Sequence, residues 1–123
     1  MKAIVITEDE RLLNSCSQIA QKVGIDWTTE QHVADLLLRI QKMDFNLILF
    51  DCERFENDCL KWLEHVHALR PRIPIITTCT SLTREMGASM LDLGILHIAQ
   101  KPINNEPLID IIEKMKRQLL NTR

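Results

Sequence analysis

Short apolar runs alternate with longer amphipathic stretches along the whole of this chain. Four runs rich in Ile, Leu and Val lie at residues 3–6, 47–50, 73–77 and 95–99, and residues 25–29 form a weaker fifth. Runs of four or five such residues have the length and composition of strands that are buried on both faces of a sheet. The pattern therefore predicts five strands.

The segments between these runs carry apolar residues every three or four positions, which is typical of helices that bury one face. Five such stripes lie within residues 12–23, 33–40, 59–69, 86–93 and 108–119. Gly24 and Gly94 are placed to end the first and fourth helices, since glycine readily adopts the left-handed conformation of a helix terminus. Pro107 suits the first turn of the last helix.

The predicted order is a strand followed by a helix, five times. Such alternation predicts an α/β fold in which a parallel sheet carries helices on both faces. The length suits one core, so residues 1–123 are expected to form a single domain. In this architecture, ligands bind beyond the carboxyl ends of the strands.

The charge and cysteine patterns exclude several classes of function. The formal net charge is −2 and the charges are dispersed, so the sequence offers no basic surface for nucleic acid. Its apolar runs are too short to cross a membrane. Cys16, Cys52, Cys59 and Cys79 form no C-x-x-C pair, and reduced thiols in a cytoplasmic protein are the expectation.

Charged residues follow three of the predicted strands. Glu8 and Asp9 follow the first strand, Asp51 ends the third, and Lys101 and Pro102 follow the fifth. Two carboxylates about 5 Å apart at an effective dielectric of about 20 repel by roughly 3 kcal/mol. A group of acids at one sheet edge therefore favours a divalent cation between them. The competing interpretation is a helix cap, which Asp9 or Glu10 could provide for the first helix.

Mg²⁺ is the natural cation for this set, because it prefers oxygen and commonly takes one or two carboxylates together with phosphate. A carboxylate can also attack phosphorus to give an aspartyl phosphate, and phosphoryl transfer depends chiefly on positioning and charge neutralisation. In this interpretation Asp51 is the nucleophile. Asp9 holds the metal directly, Glu8 holds it directly or through water, and Lys101 pairs with a phosphoryl oxygen.

The arrangement resembles the receiver domain of two-component response regulators, the CheY-like superfamily. The resemblance covers essentially the whole chain and is carried by "ITEDE", "LILFD" and "QKP". It implies a flavodoxin-like sheet of five strands in the order 2-1-3-4-5, flanked by five helices. It also implies Mg²⁺-dependent phosphorylation of Asp51, a metal ligand in the backbone carbonyl of Glu53, and a cis peptide bond between Lys101 and Pro102.

The same resemblance implies partners. A histidine kinase or phosphotransfer protein would supply the phosphoryl group, and the receiver would act as acceptor rather than as an enzyme. An output domain or partner protein would read the result, and receivers often form homodimers. The sequence leaves open the kinase, the output, the oligomeric state, and whether the chain is excised from a longer protein.

Two positions depart from the family's switch. Cys79 stands where receivers usually carry Ser or Thr, whose hydroxyl bonds the phosphoryl group, and Ile98 stands where they usually carry Tyr or Phe. A thiol is a weak hydrogen-bond donor. Thr78 or Thr80 is expected to replace it only through a one-residue shift of the strand, which would turn its side chains over. Phe55 and Cys59 likewise replace the usual Pro and Gly of the loop after the acceptor.

Two functions follow. One is a phosphoacceptor receiver with an atypical switch, and the alternative is a receiver-like interaction module with little phosphorylation control. A flavodoxin-type FMN protein is disfavoured because "TEDE" would repel phosphate. A haloacid dehalogenase-type phosphatase is also disfavoured, since that family needs a second Asp where Glu53 stands and Thr or Val where Phe55 stands.

Overall fold

A computed structural model describes residues 1–121, so the last two residues of the predicted domain lie outside it. Five strands alternate with five helices, as the apolar pattern predicts. Two short 3₁₀ turns, Cys52–Arg54 and Glu56–Asp58, lie between the third strand and the third helix. The elements are β1 (Lys2–Ile6), α1 (Glu10–Val23), β2 (Asp26–Glu30), α2 (Val33–Lys42), β3 (Leu47–Asp51), α3 (Cys59–Leu69), β4 (Ile75–Cys79), α4 (Arg84–Leu93), β5 (His97–Gln100) and α5 (Asn105–Asn121).

The strands form one parallel sheet in the order β2-β1-β3-β4-β5. This confirms the predicted flavodoxin-like architecture. The fourth and fifth strands begin two residues later than their apolar runs, and β4 continues through two threonines to Cys79. Pairing extends β4 beyond the apolar run, because Asp51 of β3 lies opposite Thr78.

Both faces of the sheet are buried. Side chains alternate between the faces along a strand, so Ile4 and Ile6 join one cluster while Ala3 and Val5 join the other. The first cluster packs under α2, α3 and α4, and the second packs under α1 and α5. The helical residues concerned are Leu36, Ile40, Leu63, Val66 and Met90 on one side, and Leu12, Cys16, Ile19, Leu108 and Ile112 on the other.

Two glycines end helices as predicted. Gly24 after α1 and Gly94 after α4 have φ angles of 65° and 88°, in the left-handed region where side chains with a Cβ are strained. At the end of α1, the Lys116 ammonium of α5 donates to the carbonyl oxygen of Val23. This contact neutralises the partial negative charge of the helix terminus and joins the two helices that cover one face.

The expectation of reduced thiols is wrong for one cysteine pair. Cys52 and Cys59 form a disulfide, and their Cα atoms lie 5.3 Å apart. The two 3₁₀ turns fold the intervening residues back, so that residues seven positions apart reach disulfide distance. Sequence spacing alone does not reveal such a turn. Cys16 and Cys79 are free and buried.

Within residues 1–121, no helix has the length and apolar character needed to cross a membrane.

A matched pair of glycine substitutions tests the helix ends. Gly94→Ala should destabilise the fold by about 1 kcal/mol, because a Cβ is disfavoured at φ 88° although no atom lies within 4 Å of it. Gly87→Ala, inside α4, should stabilise by up to about 1 kcal/mol, because its Cβ meets only Leu82 at an ordinary 3.4 Å. Urea unfolding measures both free energies, and a Gly94→Ala protein as stable as the wild type would contradict the assignment.

Candidate functional site

The site lies where β1, β3 and β5 end at the same edge of the sheet. The ammonium of Lys101, just after β5, lies 2.8 Å from Asp9 Oδ2, after β1, and 3.0 Å from Asp51 Oδ1, at the end of β3. The same nitrogen lies 3.0 Å from Glu53 Oε2. Residues from three parts of the chain thus meet around one nitrogen atom.

Asp51 is buried, with only 2% of its surface exposed. Its Oδ2 accepts hydrogen bonds from the Thr7 hydroxyl at 2.5 Å and from Lys101 at 3.1 Å. Its Oδ1 accepts from the Thr78 hydroxyl at 3.2 Å and from the Glu53 N–H at 3.3 Å. A buried carboxylate needs such partners, because an unpaired one is costly to remove from water.

Thr7 is a site residue that the sequence analysis missed, and Thr78 is one that it allowed only under a condition that the structure does not need. We expected Thr78 to reach the site only through a shift of β4, but its hydroxyl contacts Asp51 in the unshifted register because the two residues are cross-strand neighbours. The Thr7 hydroxyl also accepts the Asp9 N–H at 2.9 Å. Both are buried polar residues at the end of apolar strands, and that contrast is the signal by which they could have been found.

Asp9 combines the two roles that the sequence analysis set against each other. It is the N-cap of α1, and its Oδ1 accepts from the backbone N–H groups of Arg11 at 2.9 Å and Leu12 at 3.4 Å. Its other oxygen pairs with Lys101. The hydrogen bond from Lys101, together with the capping bonds, holds the pKa of Asp9 below its usual value of 3.8, although partial burial opposes the shift.

Glu8 and Glu53 make different contacts at the edge of the site. The Glu8 side chain is 53% exposed and pairs with Arg54 at 3.4 Å instead of facing Lys101. The resemblance implies a role only for the backbone carbonyl of Glu53, yet its side chain also pairs with Lys101. Glu53 thus joins the ionic cluster, and Glu8 lies outside it.

Lys101 is the only cation in contact with these three carboxylates among the described residues. Burial alone would lower the pKa of its ammonium group. The hydrogen bonds to Asp9, Glu53 and Asp51 outweigh burial and raise that pKa above its usual value. The peptide bond between Lys101 and Pro102 is cis.

Cys79 and Ile98, the two positions that depart from the family's switch, lie at the end of β4 and within β5. Cys79 is buried, and its carbonyl accepts the Lys101 N–H at 2.7 Å. Burial and the neighbouring charges of Glu53 and Asp51 raise the pKa of its thiol, so it remains protonated. Ile98 lies in β5, opposite Thr77, and packs at the margin of the core.

Two cavities adjoin the ionic cluster. One of about 590 Å³ is lined by Asp9, Arg11, Glu53, Lys101 and other residues. The other, of about 370 Å³, lies between the loop after β3 and the loop after β4. Across residues 1–121, no group of three or more His, Cys, Asp or Glu side chains is arranged to hold a metal ion. The Lys101 ammonium lies between the carboxylates.

Comparisons of the sequence and of the structure with known proteins agree with one another. The profile of the response regulator receiver domain matches residues 3–113. The structure superimposes with a TM-score of 0.81 on a CheY-like response regulator receiver domain protein from Methanospirillum hungatei, which is 26% identical, with 98% of this chain and 97% of that one covered. A two-component response regulator from Clostridium difficile has a TM-score of 0.84 at 16% identity, with 97% of this chain and 98% of that one covered, and it shares the fold.

A curated relative is a transcriptional regulatory protein from Salmonella typhimurium, named ZraR, which is 30% identical over 80 residues. The match covers 65% of this chain and 18% of that protein. This chain therefore spans less than a fifth of the length of the relative.

Replacing Lys101 tests the ionic cluster. In Lys101→Met the pKa of Asp9 should rise, because the hydrogen bond that lowers it most is removed. The matched control is Lys61→Met, which removes an exposed lysine of α3. Carboxyl NMR titration measures the pKa of Asp9 in each protein, and an unchanged Asp9 titration in Lys101→Met would contradict the assignment.

The contact between Asp9 and Lys101 also predicts how the stability of the fold depends on pH. Because the pKa of Asp9 is lower in the folded chain, its contribution is fully present above the unfolded value of about 3.8 and is lost as the pH falls through the lowered value. As the pH falls from neutral to acid, the free energy of unfolding measured in urea should therefore decrease less steeply in Lys101→Met than in the wild type. The Lys61→Met control should follow the wild type.

Proposed function

Because this chain belongs to the response regulator receiver domain family of two-component systems, we propose that Asp51 is its phosphoacceptor. The observation that carries the proposal is the position of Lys101, whose ammonium lies within 3.1 Å of both Asp51 oxygens and 2.8 Å from Asp9. A lysine in this position can neutralise charge on a phosphoryl group attached to Asp51. The chain acts as acceptor of a group supplied by a partner.

Receiver domains generally use Mg²⁺, and the donor atoms here suit that ion. Asp9 and Asp51 both lie within about 3 Å of one nitrogen, so they are close enough to share a cation. Mg²⁺ usually takes one or two carboxylates and fills its remaining positions with water and phosphate. Asp9, Asp51 and the Glu53 backbone carbonyl would hold the ion, and Glu8 would join directly or through water after leaving Arg54. Bound there, Mg²⁺ would supply positive charge to the phosphoryl oxygens.

In the proposed reaction, an Asp51 carboxylate oxygen attacks the phosphorus of a phosphohistidine on the partner. The new O–P bond forms as the N–P bond breaks, and the electron pair remains on the imidazole nitrogen, which takes a proton from solvent. Thr7 and Thr78 keep the carboxylate oriented through their hydroxyl groups. Lys101 moves from the attacking oxygen to an oxygen of the transferred group.

The response to phosphorylation is proposed to differ from the usual one. Cys79 occupies the β4 position at which receivers usually carry Ser or Thr, and its thiol is a weak hydrogen-bond donor. Ile98 has no ring that could swing inward. The coupling of hydroxyl and aromatic groups that receivers commonly use is therefore weakened or replaced in this chain.

A histidine kinase or phosphotransfer protein is the proposed phosphodonor. The match to part of a transcriptional regulatory protein supports an output domain or partner protein as the reader of the signal, and a homodimer is a further candidate. A cytoplasmic location fits such partners. Direct nucleic acid binding by these residues is not proposed, given the net charge of −2.

One observation favours the second candidate function, a receiver-like interaction module with little phosphorylation control. Asp51 is 2% exposed, and its oxygens are bonded to Thr7, Thr78, Glu53 and Lys101. A phosphodonor can reach the carboxylate only after Lys101 moves. If that movement is rare, the module would bind its partner in one state.

Intact mass spectrometry after incubation with acetyl phosphate and Mg²⁺ separates the two functions. The wild type should gain one phosphoryl group, because Asp51 is the nucleophile. Asp51→Asn should gain none, since an amide cannot form the acyl phosphate, and EDTA should suppress the gain in the wild type. Asp92→Asn, which changes an exposed aspartate of α4, is the matched control and should be phosphorylated normally. A folded wild type that gains no phosphoryl group would support the interaction module instead.

A further inference from the structure

The residue next to Asp51 is covalently tied to the start of α3. Cys52 follows the proposed acceptor directly, and its disulfide with Cys59 closes the loop between β3 and α3. Neither the family match nor the ionic cluster assigns a role to this bond. Both half-cystines are buried, with 5% and 0% of their surfaces exposed.

The closed loop contains groups that contact the proposed acceptor. The Glu53 N–H donates to Asp51 Oδ1, and the Glu53 carboxylate pairs with Lys101. Phe55 stacks on Phe50 with their ring centroids 4.9 Å apart, which seats the middle of the loop on β3. The position of Glu53 therefore depends on a segment that the disulfide closes.

Cys52 can be reached from one side. It lines the cavity of about 370 Å³ together with Glu53, Cys79 and Thr80. Cys59 does not line this cavity and is fully buried in the core. We take Cys52 as the sulfur that a small dithiol would attack, because Cys52 lines this cavity and Cys59 does not.

We propose that the Cys52–Cys59 pair is a reversible redox site that adjusts Mg²⁺ binding at the Asp51 cluster. The inference rests on the proposed function, because it takes the Glu53 carbonyl as a metal ligand. The oxidised pair limits the conformations of the loop and so organises that carbonyl before the ion binds. Reduction releases the loop and weakens binding.

The redox step uses a dithiol as reductant. One thiolate of the dithiol attacks the Cys52 sulfur, the bond between the two cysteine sulfurs breaks, and a mixed disulfide forms. The second thiol of the reductant then displaces Cys52. Two electrons and two protons pass to the protein, which now holds two thiols, and the reductant leaves as a cyclic disulfide. In the proposed cytoplasmic location, such bonds usually act in catalysis or sensing.

Thermodynamic linkage sets the sign of the effect and makes the change in Mg²⁺ affinity equal to the change in the reduction equilibrium. If oxidation strengthens Mg²⁺ binding by about fivefold, then saturating Mg²⁺ must make the disulfide harder to reduce by the same factor. That factor corresponds to a reduction potential lower by about 20 mV for this two-electron couple. The shift can be measured without phosphorylation.

The test equilibrates the wild-type protein in buffers of reduced and oxidised dithiothreitol, with and without Mg²⁺. Alkylation followed by intact mass gives the fraction reduced, and peptide mapping identifies the bond. We expect a Cys52–Cys59 bond and a midpoint shift of about fivefold or more in the dithiol ratio. A midpoint that Mg²⁺ leaves unchanged, or a map showing Cys52 bonded to Cys79, overturns the proposal.

Two variants isolate the cysteine pair. Cys59→Ala should abolish the difference in Mg²⁺ affinity between oxidising and reducing buffer. Tryptophan fluorescence, measured in a Trp27→Phe background, reports on Trp62, whose ring centroid lies 6.5 Å from that of Phe55. Cys16→Ala, at a free buried cysteine of α1, should retain that difference. Each variant is compared with itself in the two buffers, so a uniform loss of stability does not imitate the effect.

Acetyl phosphate labelling in both buffers separates this inference from the function on which it rests. If Asp51 is labelled in both redox states and the oxidised and reduced proteins bind Mg²⁺ with equal affinity, the redox site is overturned and the phosphoacceptor assignment stands. Absence of labelling in both states overturns the phosphoacceptor assignment. A redox-dependent Mg²⁺ affinity supports the redox site in either case.

Discussion

The ammonium group of Lys101 holds the edge of the sheet together. Three carboxylates from Asp9, Asp51 and Glu53 lie about 3 Å from it, and without a cation their mutual repulsion would open the site. Parallel strands bring these groups together because all their carboxyl ends meet at one edge. The fold brings the three carboxylates close together, and the positive charge of Lys101 offsets the repulsion between them.

That balance also limits the chemistry. A carboxylate that is buried and fully hydrogen-bonded is well oriented but poorly accessible, so under the proposed function Asp51 would react only after one of its partners moves. Thr7, just after β1, and Thr78, near the end of β4, are buried, whereas Lys101 has a long and flexible side chain. A divalent cation brought to Asp9 and Asp51 would replace the charge that the lysine provides, and in the proposed function this exchange would free the lysine for the phosphoryl group.

The sequence predicted the order of strands and helices because each strand is a short apolar run and each helix has a separate apolar stripe. It also predicted which strand ends carry charge. It did not predict the contacts of Thr7 and Thr78, since hydrogen bonds between strands depend on register, which a single sequence leaves open. The pairing of Cys52 with Cys59 was missed for a related reason, because it depends on two 3₁₀ turns that have no apolar periodicity.

Asp9 has a further consequence, because it serves α1 with one oxygen and the ionic cluster with the other. Any event that draws Lys101 or a metal ion away from Asp9 alters the electron density on the oxygen that caps the helix. The first turn of α1 would therefore respond to a change of charge at Asp51, the proposed acceptor. At its far end α1 is joined to α5 by the Lys116 contact, so a change at Asp9 would act on a helix that α5 also contacts, away from Cys79 and Ile98.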